Sequence, residues 1–167
     1  MKQILILVLL IGLMPNFANA QAGKKPGNVL LGVFDGRSPC KEMAAQLKEN
    51  VIPECNKIKW RLVLYKDSVT GAPDNYELYG LIYRNATPRL GKWKITKGMY
   101  NNPDATVYEL EFSDLPTLLL MKADDNIFFW LTQDRKLMVG NGDFSYTLNR
   151  THHTFDDILV WARTRVN

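Results

Sequence analysis

A chain of 167 residues with 21 basic and 17 acidic side chains, net charge +4, has room for one domain with a sizeable core and not for two ordinary ones. That mild basic excess comes without any basic run interleaved with stacking aromatics, which excludes a nucleic-acid-binding tract. With 2 histidines and 2 cysteines in all, the chain has little from which to build a metal cluster or a nucleophile–base pair.

The first 20 residues read as a secretory signal peptide: Lys2 supplies a positive charge, Ile4 to Met14 is an apolar run of 11 residues, and Ala18-Asn19-Ala20 is a small-x-small cleavage site. A membrane-spanning helix needs about 20 apolar residues, and no later stretch approaches that length, so no membrane span is expected. No cysteine lies near the cleavage point to carry a lipid anchor. Cleavage after Ala20 is therefore expected to release an unanchored protein into the periplasm or the medium. A polar leader, Gln21 to Gly27, precedes a single domain over 28–167.

Asn28 to Phe34 is apolar enough for a first strand, and Asp35 to Pro39 reads as a turn-rich exit from it. Lys41 to Asn50 is rich in helix formers and is closed by Pro53, so a short helix is expected there. From Cys55 to Tyr65, apolar Ile58, Trp60, Leu62 and Leu64 alternate with Lys57, Lys59 and Arg61, the period of a strand with one buried face. Gly71 and Pro73 mark a polar connection over Asp67 to Asn75. Tyr76 to Arg84 reads as a strand with a bulge or bend at Gly80.

Further strands are expected over Thr87 to Lys97 and Thr106 to Phe112, separated by a polar turn from Gly98 to Asp104. Thr117 to Lys122, Ile127 to Thr132, Lys136 to Val139 and Phe144 to Asn149 follow, with turns at Asp124-Asp125-Asn126, Gln133-Asp134-Arg135 and Gly140 to Asp143. The period then changes. Thr154 with Asp157 forms a capping box, and Phe155, Ile158, Leu159 and Ala162 recur at helical spacing, so an amphipathic helix is expected over 154–165. Arg163 and Arg165 fall in its last turn, where the helix dipole favours cations.

Strand and turn alternate about every 10 residues, the rhythm of an antiparallel sandwich or barrel and not of βαβ units. The fold class is all-β: a small antiparallel barrel of about eight strands with a short inserted helix and a C-terminal helix. An interior of that size is either filled by side chains or holds one small ligand.

Gly32-x-Phe34-x-Gly36-x-x-Pro39-Cys40, a second cysteine followed by an alternating strand, Gly91-x-Trp93-x-Ile95 and Asp143-Phe144-Ser145-Tyr146-Thr147-Leu148 together resemble the amino-terminal domain of the NlpE-type copper resistance lipoproteins. The likeness runs from about Leu30 to Arg150. It implies a lipocalin-like β-barrel and a role in reporting envelope stress, including copper and surface contact. That family carries Pro-Cys-x-x-Cys and a lipid anchor, whereas here 14 residues separate Cys40 from Cys55.

An even cysteine count in an exported chain favours a Cys40–Cys55 disulfide. The alternative is a soft-metal site, with the thiols of Cys40 and Cys55 and the thioether of Met43 offered to copper. Trp60, Tyr76, Trp93, Tyr108, Phe128, Trp130, Phe144 and Tyr146 are expected either to fill the core or to line a cavity for a small apolar ligand. Lys57, Lys59, Arg61, Lys92 and Lys94 lie on expected outward faces, as a solvated surface or a basic patch for lipid headgroups or an acidic partner. His152-His153 read as a loop pair. Without Gly-x-Ser-x-Gly, His-Glu-x-x-His or a phosphate-binding glycine loop, catalysis is not expected, and no cofactor is implied unless copper binds. The expected partner is an unidentified envelope protein or a small apolar ligand.

Overall fold

Alternation of large apolar with polar side chains produces eight strands: β1 (Asn28–Pro39), β2 (Lys57–Asp67), β3 (Pro73–Tyr79), β4 (Arg89–Met99), β5 (Asn102–Leu110), β6 (Leu118–Lys122), β7 (Ile127–Leu131) and β8 (Thr147–Thr151). Among the described residues one helix, α1 (Cys40–Leu47), interrupts them. The computed structural model describes residues 27–50, 53–80 and 87–152. The expected signal peptide, all of the polar leader but Gly27, and the expected helix over 154–165 lie outside the described residues. So do residues 81–84 of the expected third strand.

Each strand pairs antiparallel with the next, and β8 pairs back onto β1 from Gly36↔Leu148 to Val33↔Thr151. The sheet thus closes in a ring, which removes the unpaired edges that an open sheet of this length would expose. Inside, the ring is packed with aromatics. Trp60 meets Trp130 at 5.1 Å between ring centres, Phe34 meets Phe128 at 4.7 Å, Tyr108 meets Phe128 at 4.9 Å and Trp93 meets Tyr108 at 4.7 Å. These are tilted or edge-on contacts of the kind aromatic quadrupoles favour. Leu62, Leu64, Leu78, Leu110, Leu120 and Leu148 fill the spaces between them.

The helix closes one end. Cys40, Met43, Ala44 and Leu47 form its buried stripe, and the Cys40–Cys55 disulfide ties its first residue to the approach to β2. Ser38, fully buried just before it, accepts a hydrogen bond from Trp60 Nε1 at 2.8 Å. The helix stops at Lys48, which takes a left-handed conformation so that the Lys48 and Glu49 amides reach the Ala45 and Ala44 carbonyls. It is therefore shorter than the Lys41 to Asn50 reading, because Lys48 ends it well before Pro53. The Arg150 guanidinium, on β8, lies 4.8 Å from the centre of the Phe34 ring and donates to the Leu31 carbonyl at 3.0 Å.

Several expected boundaries shift, each for a pairing reason. Asp35 to Pro39 is strand and not turn, because it stays in register with β2 from Asp35↔Arg61 to Pro39↔Lys57. β3 runs over Pro73–Tyr79, and Gly80 after it, at φ +95, lies so close to the Lys59 carbonyl that a Cβ would fall 1.6 Å from that oxygen. The turn after β4 is confined to Tyr100 and Asn101, since Asn102 already pairs with Met99. Lys136 to Val139 makes a single bridge, Leu131↔Leu137, and no strand. The final strand begins at Thr147 and not at Phe144.

The segment after β7 instead reaches the β4–β5 turn through Arg135. Val107, Leu119 and Leu131 point away from the ring and are almost fully buried, with Met99 and Met121 packed against them. Arg135, at φ 60, donates to the Lys97 and Gly98 carbonyls at 3.0 and 2.7 Å and pairs with Glu109. Its own carbonyl accepts from the Tyr100 amide at 2.9 Å. Burial pushes the Glu109 carboxyl up, but the Thr96 hydroxyl hydrogen bond, Lys94 and Arg135 together outweigh it and hold it below the ordinary carboxylate value.

Candidate functional site

The extension of β1 through Pro39 decides what stands beside β2. Antiparallel register sets Arg37 directly opposite Lys59, and both side chains are exposed on the outside of the ring. Neither has a carboxylate partner among the described residues. Like charges directly opposite each other destabilise a sheet, so this arrangement is an unfavourable one for the fold taken alone. One pair further along, Asp35 faces Arg61 and neutralises it through two bonds, Nε to Oδ1 at 2.8 Å and Nη2 to Oδ2 at 2.6 Å.

Those residues form one wall of an open groove of about 550 Å³ that runs across the outer face of β3, β2, β1 and β8. Asp143, Phe144 and Ser145, with Thr147 and Asn149 of β8, line the opposite side, and Tyr79 and Gly80 close one end. Phe144 is half-buried, and the Lys57 ammonium lies 5.4 Å from its ring centre. A short turn fixes this wall, in which Asn141 Oδ1 accepts from the Asp143 and Phe144 amides at 3.0 and 2.8 Å. Beside the groove, Glu77 accepts from both the Tyr65 hydroxyl at 3.0 Å and the Tyr79 hydroxyl at 2.6 Å. Burial, and after it the Glu77 carboxylate, raises both phenols well above their ordinary value.

The expected site residues separate into three groups. Cys40 and Cys55 are joined, so neither sulfur is a thiolate, and Met43 is fully buried in the core beside them. Among the described residues no group of three or more His, Cys, Asp or Glu side chains converges as a metal site. Trp60, Tyr76, Trp93, Tyr108, Phe128, Trp130 and Tyr146 all lie in the packed interior, whereas Phe144 belongs to the outer groove. Trp130 Nε1 is buried with no hydrogen-bond partner.

The basic patch divides as well. Lys92 pairs with Asp74, and Lys94 lies 2.6 Å from Glu111 and 3.3 Å from Glu109, so these two are ordinary cross-strand ion pairs. Arg61 is buried against Asp35, which corrects its reading as a solvated side chain. Lys57 and Lys59 remain exposed and are joined by Arg37, which reading Asp35 to Pro39 as a turn had kept apart from them. The pairing signal was present in the spacing, since an antiparallel partner for Cys55 to Tyr65 needs a strand of matching length. His152 is exposed, and His153 lies outside the described residues.

Among the described residues no helix is long and apolar enough to cross a membrane. No family model, curated protein or solved structure matches the chain.

Proposed function

We propose that this protein is an exported binding protein of the cell envelope, released by cleavage after Ala20, that uses its outer groove to hold an acidic segment of a partner protein. The observation that carries this reading is the Arg37–Lys59 pair. Two exposed cations face each other across neighbouring strands with no carboxylate paired to either among the described residues, an arrangement that becomes favourable when an anionic group bridges them. The groove offers such a segment hydrogen-bonding groups on its far wall, Ser145, Thr147 and Asn149, and an aromatic edge at Phe144. The chain works by binding and not by catalysis. A lipocalin-like barrel with an envelope-reporting role of the NlpE type is the family reading in keeping with it, supported by the closed eight-stranded sheet and by Pro39-Cys40 at the end of β1.

Two-dimensional NMR of the mature chain, titrated with a capped hexaglutamate peptide, tests the groove. Shifts confined to Arg37, Lys59 and the 143–149 wall, weakening with added salt and abolished in Arg37→Glu/Lys59→Glu, are the expected result. Shifts spread over the Lys92 and Lys94 surface, or none at all, would refute the proposal. N-terminal sequencing of the secreted protein checks the Gln21 start.

A second reading, a carrier of a small apolar ligand, is favoured by one observation: the buried Trp130 Nε1 is a donor without an acceptor inside the ring, and such a group gains from a bound acceptor. Native mass spectrometry of the mature chain separates the readings. A mass increment of an organic molecule supports the carrier, a copper increment after mild reduction supports the metal reading through Cys40, Met43 and Cys55, and a bare mass leaves the groove.

A further inference from the structure

The lining of the groove carries five charged side chains: Arg37, Lys59 and Arg61 are basic, Asp35 and Asp143 acidic. The excess is one positive charge. Its distribution is uneven, because Asp35 cancels Arg61 through two bonds, while Lys57 lies over the Phe144 ring and is not part of the lining. The uncancelled cations are Arg37 and Lys59, register partners on neighbouring strands whose Cα atoms stand about 5 Å apart in an antiparallel ladder. One anionic group can therefore bond to both.

Acidic groups flank that point. Asp35 is two residues from Arg37 on the same outward face of β1, about 6.8 Å along the strand and so within the screening length of about 8 Å at physiological salt. Asp143 belongs to the facing wall, exposed and without an ion-pair partner among the described residues. The rest of the lining offers hydroxyl, amide and aromatic groups, at Ser145, Thr147, Asn149, Phe144 and Tyr79.

We infer that the groove selects a segment with a single acidic residue flanked by neutral ones, and that Asp35 and Asp143 are the residues that reject longer acidic runs. This rests on the reading of the groove as a site for an acidic segment, and narrows it. A first carboxylate, placed between Arg37 and Lys59, replaces a like-charge repulsion with two charge-assisted bonds. A second meets Asp35 or Asp143 instead of a further uncancelled cation. Discrimination of this kind comes from unfavourable juxtapositions as much as from attraction. The span sets the length: from Tyr79 on β3 to Thr147 on β8 is three strand spacings of about 4.8 Å, which about four extended residues cover at about 3.3 Å each. The acidic one falls near the middle, over β1 and β2, with hydroxyl and amide partners toward β8.

Two-dimensional NMR titrations of the mature chain at about 0.15 M salt test this. The probes are capped hexaglutamate and a capped hexapeptide of serine with one central glutamate. The one-glutamate peptide should bind the more tightly of the two. Asp143→Asn should strengthen hexaglutamate binding about fivefold and change the one-glutamate peptide by less than about twofold. The variant keeps the turn, because Asp143 contributes its amide and not its carboxylate to the bond with Asn141. Hexaglutamate binding more tightly than the one-glutamate peptide, and equally to both proteins, would overturn the inference while leaving the groove a site for acidic segments in general. Failure of both peptides to bind the unmodified chain would overturn the underlying reading and this inference with it.

Discussion

The two outer walls of the ring solve one problem in different ways. On β4–β7, Val107, Leu119 and Leu131 turn outward against Met99 and Met121, and Arg135, in the loop that follows β7, ties that loop to the β4–β5 turn. On β1–β3, Val33, Val63, Tyr65 and Tyr79 turn outward with polar groups woven through them, Glu77 under two hydroxyls and Arg61 on Asp35. The first wall is tied to a loop close to it in sequence, through Arg135. The second is held by polar pairs between its own strands. A closed ring of short strands buries only one side of each strand by itself, so apolar residues on the other side depend on what packs and pairs beside them.

The largest expected effect removes the covalent difference between the walls. Cys55→Ser opens a loop closed at a sequence separation of 15, which costs about 3 kcal/mol in the chain-entropy account. Chemical denaturation measures the loss, and hydrogen exchange should show faster opening of α1 and the β1–β2 end than of β4–β7. An equal rise on both walls would contradict the asymmetry.

Next in size, Val63→Ala and Val107→Ala should each cost about 2 kcal/mol, as expected for deleting two buried methyl groups. Both residues are 0% exposed. The control, Val69→Ala at 58% exposure, should leave the unfolding midpoint unchanged. If Val63→Ala behaved like that control, the β1–β3 wall would be open in solution. Arg135→Met should cost about 1–2 kcal/mol, the range for charge-assisted hydrogen bonds at a partly exposed site, and should speed exchange at the Tyr100 amide, which donates to the Arg135 carbonyl.

The walls should also respond to opposite extremes of pH. The folded-state value of Glu109 lies below its ordinary 4.5. Its stabilisation is therefore present above pH 4.5 and is lost as pH falls through the depressed value. The folded-state values of Tyr65 and Tyr79 lie above their ordinary 10.0, so their stabilisation is present below pH 10 and is lost as pH rises beyond it. Glu109→Gln should flatten the acid limb of the stability profile, and Tyr65→Phe with Tyr79→Phe the alkaline limb, each without altering the other. The smallest expected effect is a gain: Lys59→Glu places opposite charges where Arg37 and Lys59 now face each other and should stabilise the sheet by about 0.5 kcal/mol. The same change should abolish binding of the acidic peptide, which separates a structural role for the pair from a recognition role.

Much of this was legible in the residues. Ile58, Trp60, Leu62 and Leu64 announce an inward face of β2, and the even cysteine count favoured the disulfide that joins Cys40 to Cys55. The groove was not legible, for reasons that can be named. Asp35 to Pro39 carries turn chemistry, with Asp, Gly, Ser and Pro close together, but five partners along β2, from Arg61 to Lys57, hold it extended. Reading it as a turn kept Arg37 away from Lys59. Likewise Lys136 to Val139 has the composition of a strand yet makes a single bridge, because Arg135 pins its start to the β4–β5 hairpin.

The order of side chains along each strand was enough by itself to determine that this protein is all-β and antiparallel, since a period of two allows one apolar face and short turns allow only neighbouring pairings. Which outward residues are buried, which charges cancel and which confront each other were decided only by the tertiary structure. Those outcomes depend on register between strands and on what lies above the sheet, and neither is a property of a residue's near neighbours in the chain.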